Sequence, residues 1–67
     1  MIKSPLLHLK DQIGRNVIIY TFNNKKISGI LSGVDVYVNV HLREAREEQY
    51  LGDVIINGSN VLFFDLH

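Results

Sequence analysis

From Asn16 onward the chain offers one β-strand signal after another and no second helix, and that constraint governs what it can fold into. Val17-Ile18-Ile19-Tyr20-Thr21-Phe22 is β-branched and aromatic, apolar on both faces. Asn23-Asn24 tolerates the positive φ that a tight hairpin requires. Lys26–Val34 predicts a second strand, and Gly29 and Gly33 within it mark bends of the kind that close small barrels. The cleanest alternation follows, with Val36, Val38, Val40 and Leu42 on one side and Tyr37, Asn39, His41 and Arg43 on the other. Residues 44–49 predict a charged, solvated turn. Tyr50–Ile56 and Val61–Leu66 complete five strands, separated by Asn57-Gly58-Ser59-Asn60, which taken alone reads as a hairpin turn.

Ahead of the strands stands one helix signal. Ser4 can cap it by accepting from a free backbone N–H, and Pro5 suits the first helical position, where a missing donor costs nothing. Leu6, Leu9 and Ile13 share a face, with Leu7 beside them, and Gly14 supplies a left-handed stop. The expectation is a short helix over 5–13 that lays a leucine stripe on the rest of the chain. His8 and Lys10 fall off that stripe and read as solvated. One helix followed by five short strands gives a mainly β fold, a small partly open barrel, as a single domain over 1–67.

Size then decides how such a barrel is stabilised. An isolated core of 67 residues is marginal. There is no cysteine, so disulfides and thiolate zinc sites are excluded. His8, His41 and His67 show no metal-ligand spacing, and no cofactor is expected. Oligomerisation remains. Val54-Ile55-Ile56 and Val61-Leu62-Phe63-Phe64 would be bare, proline-free sheet edges, so one subunit's fourth strand is expected to pair with the next subunit's fifth. That contact is head-to-tail and closes into a ring if the rotation permits. Seven Lys/Arg balance seven Asp/Glu, which argues against a broad grip on double-stranded DNA. No apolar run approaches the ~20 residues of a membrane span, and the first residues lack a signal-peptide pattern, so a soluble, intracellular protein is expected.

Two motifs in this order resemble those of the Sm and Sm-like (LSm) proteins. The first is Ile27-Ser28-Gly29-Ile30-Leu31-Ser32-Gly33-Val34-Asp35-Val36-Tyr37-Val38-Asn39-Val40-His41-Leu42, similar to an apolar-Gly strand followed by Asp-x-aromatic-x-Asn. The second is Ile56-Asn57-Gly58-Ser59-Asn60-Val61, after a Leu51-Gly52-Asp53-Val54 lead-in. The bacterial Hfq branch fits poorly, because its Lys-His signature is missing from the second motif; the archaeal and eukaryotic branch fits better. The resemblance implies the Sm fold: a short N-terminal helix stacked on a strongly bent five-stranded antiparallel sheet. It also implies that the chain crosses at Asn57-Gly58, so that the fifth strand pairs with the first, and that subunits assemble into rings, commonly heptamers.

The same resemblance implies single-stranded, U-rich RNA bound around the inner rim, with Asp35, Tyr37, Asn39, Asn57, Gly58 and Asn60 at the site. The side chains suit that chemistry. Tyr37 offers a stacking face, Asn39 one donor and one acceptor for the pairing edge of uracil, Asp35 a partner that orients Asn39, and Gly58 close backbone approach. Each also has a purely structural reading: Asp35 and Asn39 as turn caps, Tyr37 as a half-buried strand aromatic. Two positions depart from the family pattern. Asn57 stands where an arginine is usual and cannot make a cation–π contact, and Val38 stands where methionine is usual.

Three functions are weighed. A ring-forming RNA-binding subunit in RNA processing or ribonucleoprotein assembly leads, cytoplasmic in an archaeal cell and nuclear or cytoplasmic in a eukaryotic one. Its alternative is a ring scaffold with little RNA binding of its own, in a ring of identical or related subunits. An enzyme is not expected: no phosphate loop, cysteine nucleophile or paired carboxylates are present, and Ser28, Ser32 and Ser59 lack a supporting motif.

Overall fold

A computed structural model describes residues 5–66. The Ser4 cap lies outside the described residues. The helix α1 spans Pro5–Lys10, shorter than the expected 5–13. Beyond Lys10 the backbone tightens: Asp11 N–H still reaches Leu7 O, but Gln12 and Ile13 donate three residues back, to Leu9 and Lys10. Gly14 takes φ 93° and donates to Leu31 O at 2.8 Å, which turns the chain onto the sheet. The expected stripe reduces to one fully buried anchor, Leu9; Leu6 is half-buried, while Leu7 and Ile13 are exposed. His8 is exposed, as expected.

Five strands follow: β1 Asn16–Thr21, β2 Lys26–Val34, β3 Val40–Arg46, β4 Tyr50–Ile56 and β5 Val61–Leu66. They form one antiparallel sheet in the order β4-β3-β2-β1-β5. The chain therefore crosses between β4 and β5, and the hairpin that Asn57-Gly58 suggests in isolation does not form. Tyr20 pairs with Phe63 across β1 and β5, and their rings stack with centroids 4.4 Å apart. Val17, Ile19 and Thr21 point inward from β1. With Ile27, Leu31, Val40, Leu42, Ala45 and Ile56, the two apolar ones make the core, and Val34, Val54, Val61 and Phe64 pack around it. Truncating a fully buried member such as Ile19 to alanine removes about 2–5 kcal/mol.

The bends fall where the glycines stand. Register between β2 and β3 slips between Ser28 and Ile30 and again between Leu31 and Gly33. At Gly29 an added Cβ would lie 3.0 Å from Arg43 O and 3.1 Å from the Ala45 Cα, so the bare position lets β3 approach β2 closely.

Two expected boundaries move. The alternation of residues 36–43 is not one strand: β3 starts at Val40, residues 35–39 form a turn, and Val36 is 74% exposed rather than facing the core. Residues 44–46 belong to β3 rather than to the solvated turn, because Ala45 is fully buried while Glu44 takes φ 51° at a register slip. The turn proper is 47–49. The expected Asn23-Asn24 hairpin does form, with Asn24 at φ 65° and Thr21 N–H donating to Lys25 O.

Both outer strands keep an unpaired edge within the subunit, and their side chains are apolar and open. Tyr50, Leu51 and Ile55 on β4, and Leu62 and Phe63 on β5, are all exposed.

Candidate nucleic-acid interface

Residues 35–39 are built around one carboxylate. Asp35 Oδ1 accepts from the backbone N–H of Tyr37 at 2.9 Å and of Asn39 at 3.0 Å. Asp35 Oδ2 accepts from Asn39 Nδ2 at 3.0 Å. The backbone closes the same loop twice more, Val38 N–H to Asp35 O and Asp35 N–H to Asn39 O. Only a short acidic side chain can gather three donors within five residues in this way. These donors, foremost the Asn39 backbone N–H, hold the Asp35 carboxyl below its usual range against some desolvation; the Asn39 amide, the Tyr37 N–H and the charge of His41 act in the same direction. Inside the turn Val38 is forced to φ 60°, a left-handed conformation that a β-branched residue rarely adopts.

The turn is joined to a segment far away in sequence. Asn39 Oδ1 accepts from Gly58 N–H at 2.9 Å, so the β4–β5 crossing sits against the β2–β3 turn. The approach is close: a Cβ on Gly58 would lie 2.5 Å from Tyr37 O and 2.6 Å from Val38 O. No side chain fits there.

Gly58–Asn60 is a single 3₁₀ turn capped by Asn57, whose Oδ1 accepts from Ser59 N–H at 2.9 Å and Ser59 Oγ at 2.8 Å. Asn60 N–H returns to Asn57 O, and Asn60 O accepts from Phe22 N–H, which ties the crossing to the β1–β2 hairpin.

The structure thus brings five of the six sequence-selected residues to one place: Asp35, Tyr37, Asn39, Asn57 and Gly58. Tyr37 stands at the turn's tip, 79% exposed, with no ring partner among the described residues. Asn60 contributes through its backbone. The structural reading of Asp35 and Asn39 as turn caps and their reading as site residues prove compatible, since the same bonds that cap the turn orient Asn39. Sequence reasoning missed Ser59, which fixes the Asn57 amide. The Asn-x-Ser spacing was the available signal, because an Asn side chain commonly bonds two residues ahead.

Chemically, the arrangement leaves hydrogen-bonding groups unused. Asn39 carries two amide hydrogens and two oxygen lone pairs; one of each is engaged, so one donor and one acceptor remain. Among the described residues there is no group of three or more His, Asp or Glu able to hold a metal ion. No described helix is long and apolar enough to cross a membrane.

A family model described as the LSM domain matches residues 7–66. The chain belongs to the LSM family. It is 46% identical over 61 residues to a provisionally named snRNP Sm-like protein of Thermoplasma volcanium, covering 91% of this chain and 65% of that one; it therefore spans just under two thirds of that relative's length. A heptameric archaeal Sm protein superposes with a TM-score of 0.85 at 32% identity, over 91% of this chain and 97% of the other. The Sm protein of Pyrococcus abyssii, solved in complex with a uridine heptamer, superposes with a TM-score of 0.89 at 25% identity, over 97% and 100%. The crossing of β5 to β1 and the stacked helix are thus the Sm fold, as the two motifs implied. Within that fold, the first Sm motif supplies the 35–39 turn and the second supplies the crossing that touches it.

Proposed function

We propose that this chain is a subunit of a closed ring, a heptamer in the first instance, that binds single-stranded U-rich RNA through the pocket at Tyr37, Asn39 and Gly58. One observation carries the RNA reading: Asn39 is clamped from both sides by Asp35 and Gly58 yet keeps one donor and one acceptor unused. Uracil's pairing edge offers an N–H beside a carbonyl oxygen, which is the complement. Tyr37 adds a flat exposed ring, a stacking contact worth about 1–3 kcal/mol per base. The uridine complex of the Pyrococcus abyssii relative supports the choice of base.

Ring closure has its own support. The bare edges of β4 and β5 are apolar, and pairing them head-to-tail between copies would cover both. The heptameric relative supports the count. RNA processing or ribonucleoprotein assembly is the cellular role that fits such a ring.

A second reading is a ring scaffold that binds RNA weakly, favoured by the neutral Asn57 and the zero net charge. Native mass spectrometry and fluorescence anisotropy with oligo-U separate the two. A ring that binds oligo-U, and loses it in Asn39→Ala and Tyr37→Ala without dispersing, supports RNA binding. A ring indifferent to oligo-U supports the scaffold, and a monomer at micromolar concentration sinks both.

A further inference from the structure

The Asn57 amide is oriented by bonds that leave no ambiguity. A backbone N–H can only donate, so the Asn57 atom 2.9 Å from Ser59 N must be the oxygen. The Ser59 hydroxyl donates to the same oxygen at 2.8 Å. Both lone pairs of Oδ1 are therefore occupied. What Asn57 presents outward is an NH₂ group alone, two donors with no acceptor, and among the described residues nothing accepts from it. The side chain is exposed, and its backbone is held at φ −64°, ψ 129° directly before the glycine that binds Asn39.

This matches what the rest of the pocket leaves unmet. The pairing edge and its flank give uracil three polar groups: an N–H and two carbonyl oxygens. Asn39 can satisfy the N–H and one carbonyl. The remaining group is an acceptor, and the sugar–phosphate backbone beside it also presents only acceptors at its phosphate.

We propose that Asn57 is a specificity-determining contact: a fixed, uncharged, donor-only group that takes an acceptor oxygen of the nucleotide seated on Tyr37 and Asn39. This rests on the RNA-binding reading above. It makes the rim selective by hydrogen-bond polarity rather than by charge, so affinity through this residue depends little on salt.

Two substitutions isolate the donor. Asn57→Ser keeps a good cap for Ser59 N–H but replaces the amide NH₂ with a single O–H on a shorter side chain that does not reach the same position; Asn57→Asp keeps cap and shape but replaces the donor with an acceptor. Anisotropy with oligo-U and oligo-A at low and high salt reads the result on rings whose mass and circular dichroism match wild type. The expectation is oligo-U binding weaker by about two- to tenfold per occupied pocket in Asn57→Ser, one net hydrogen bond, at both salts. Asn57→Asp should lose more, and should still be weaker than wild type at high salt. A loss confined to oligo-U assigns the acceptor to a base carbonyl; an equal loss with oligo-A assigns it to the sugar–phosphate backbone. Wild-type affinity in Asn57→Ser overturns the proposal. If Tyr37→Ala weakens binding while Asn57→Ser does not, only the Asn57 assignment falls. If wild type itself ignores oligo-U, or Tyr37→Ala and Asn39→Ala leave binding unchanged, the pocket reading falls and takes this one with it.

Discussion

Among the turns that join neighbouring antiparallel strands in this subunit, 35–39 and 47–49 are held in opposite ways. In the first, one carboxylate gathers three N–H donors and a glycine 19 residues away grips the result. In the second, Glu47 N–H donates to Gln49 O, and Lys25 Nζ lies 3.9 Å from Glu47 Oε1. An exposed ion pair of that length contributes about 0–1 kcal/mol. The 47–49 turn is wholly polar and the 35–39 turn is not, but it is the latter that holds its side chains in a fixed geometry. Charge keeps a loop in water; directed hydrogen bonds fix where its side chains stand.

The contrast can be broken most severely at Gly58. Gly58→Ala drives a methyl against two carbonyl oxygens and separates the crossing from the turn. Destabilisation of about 3 kcal/mol is expected, and a thermal melt should fall by more than about 10 °C. A melt within two or three degrees of wild type, on the order of error for ~0.5 kcal/mol, would mean the two segments are not packed as described.

Asp35→Ala should come next. With its three donors released, the turn loses its shape, and oligo-U binding should weaken roughly tenfold or more. Glu48→Ala in the other turn should bind as wild type does. Equal effects of the two substitutions in anisotropy would erase the distinction between the turns.

Acid should reproduce part of the Asp35 loss reversibly. The folded state favours the ionised Asp35 carboxylate, so its pKa is lowered on folding. Its contribution to stability is therefore complete above the ordinary carboxylate value of about 4, and declines as pH falls through the lowered folded value. Subtracting the stability–pH curve of Asp35→Asn from that of wild type should leave a difference that shrinks below about pH 4. A flat difference would mean the carboxylate is not held by its donors.

The smallest effect concerns Val38. Its φ of 60° is costly for a β-branched side chain and mild for asparagine. Val38→Asn should raise stability by up to about 1 kcal/mol in denaturant unfolding with ring assembly unchanged. A loss of stability would show that the half-buried valine contributes more by packing than it costs in backbone strain.

Most strands were legible because their signals are local. Gly29 announces its bend, and Lys26–Val34, Tyr50–Ile56 and Val61–Leu66 carry β-branched, leucine or aromatic residues bounded by turn residues. The misreadings share one cause. Val36-Tyr37-Val38-Asn39-Val40 alternates with period two, and periodicity alone cannot tell a strand from a turn that a nearby Asp35 has stapled shut. Likewise Glu44-Ala45-Arg46 looks solvated until the one small apolar residue is seen to be buried at a bulge. Over 11–13 the helix pattern continues in the sequence, but Gly14 is claimed by Leu31 O and the last turn tightens. At the candidate site, the two motifs and their order were legible. The long-range bond between Asn39 and Gly58 was not, since nothing in either segment alone names the other.

That bond also makes the subunit self-reporting. The Gly58 amide proton points at the Asn39 oxygen, which keeps a second lone pair. Any group that donates to the free lone pair draws electron density from the same atom and weakens or reshapes the bond to Gly58. In a heteronuclear NMR spectrum, the Gly58 amide would therefore sense the filling of the pocket through its bond to Asn39. Glycine amides resonate apart from most others, so one isolated cross-peak can count occupied pockets in a ring without a label on the ligand.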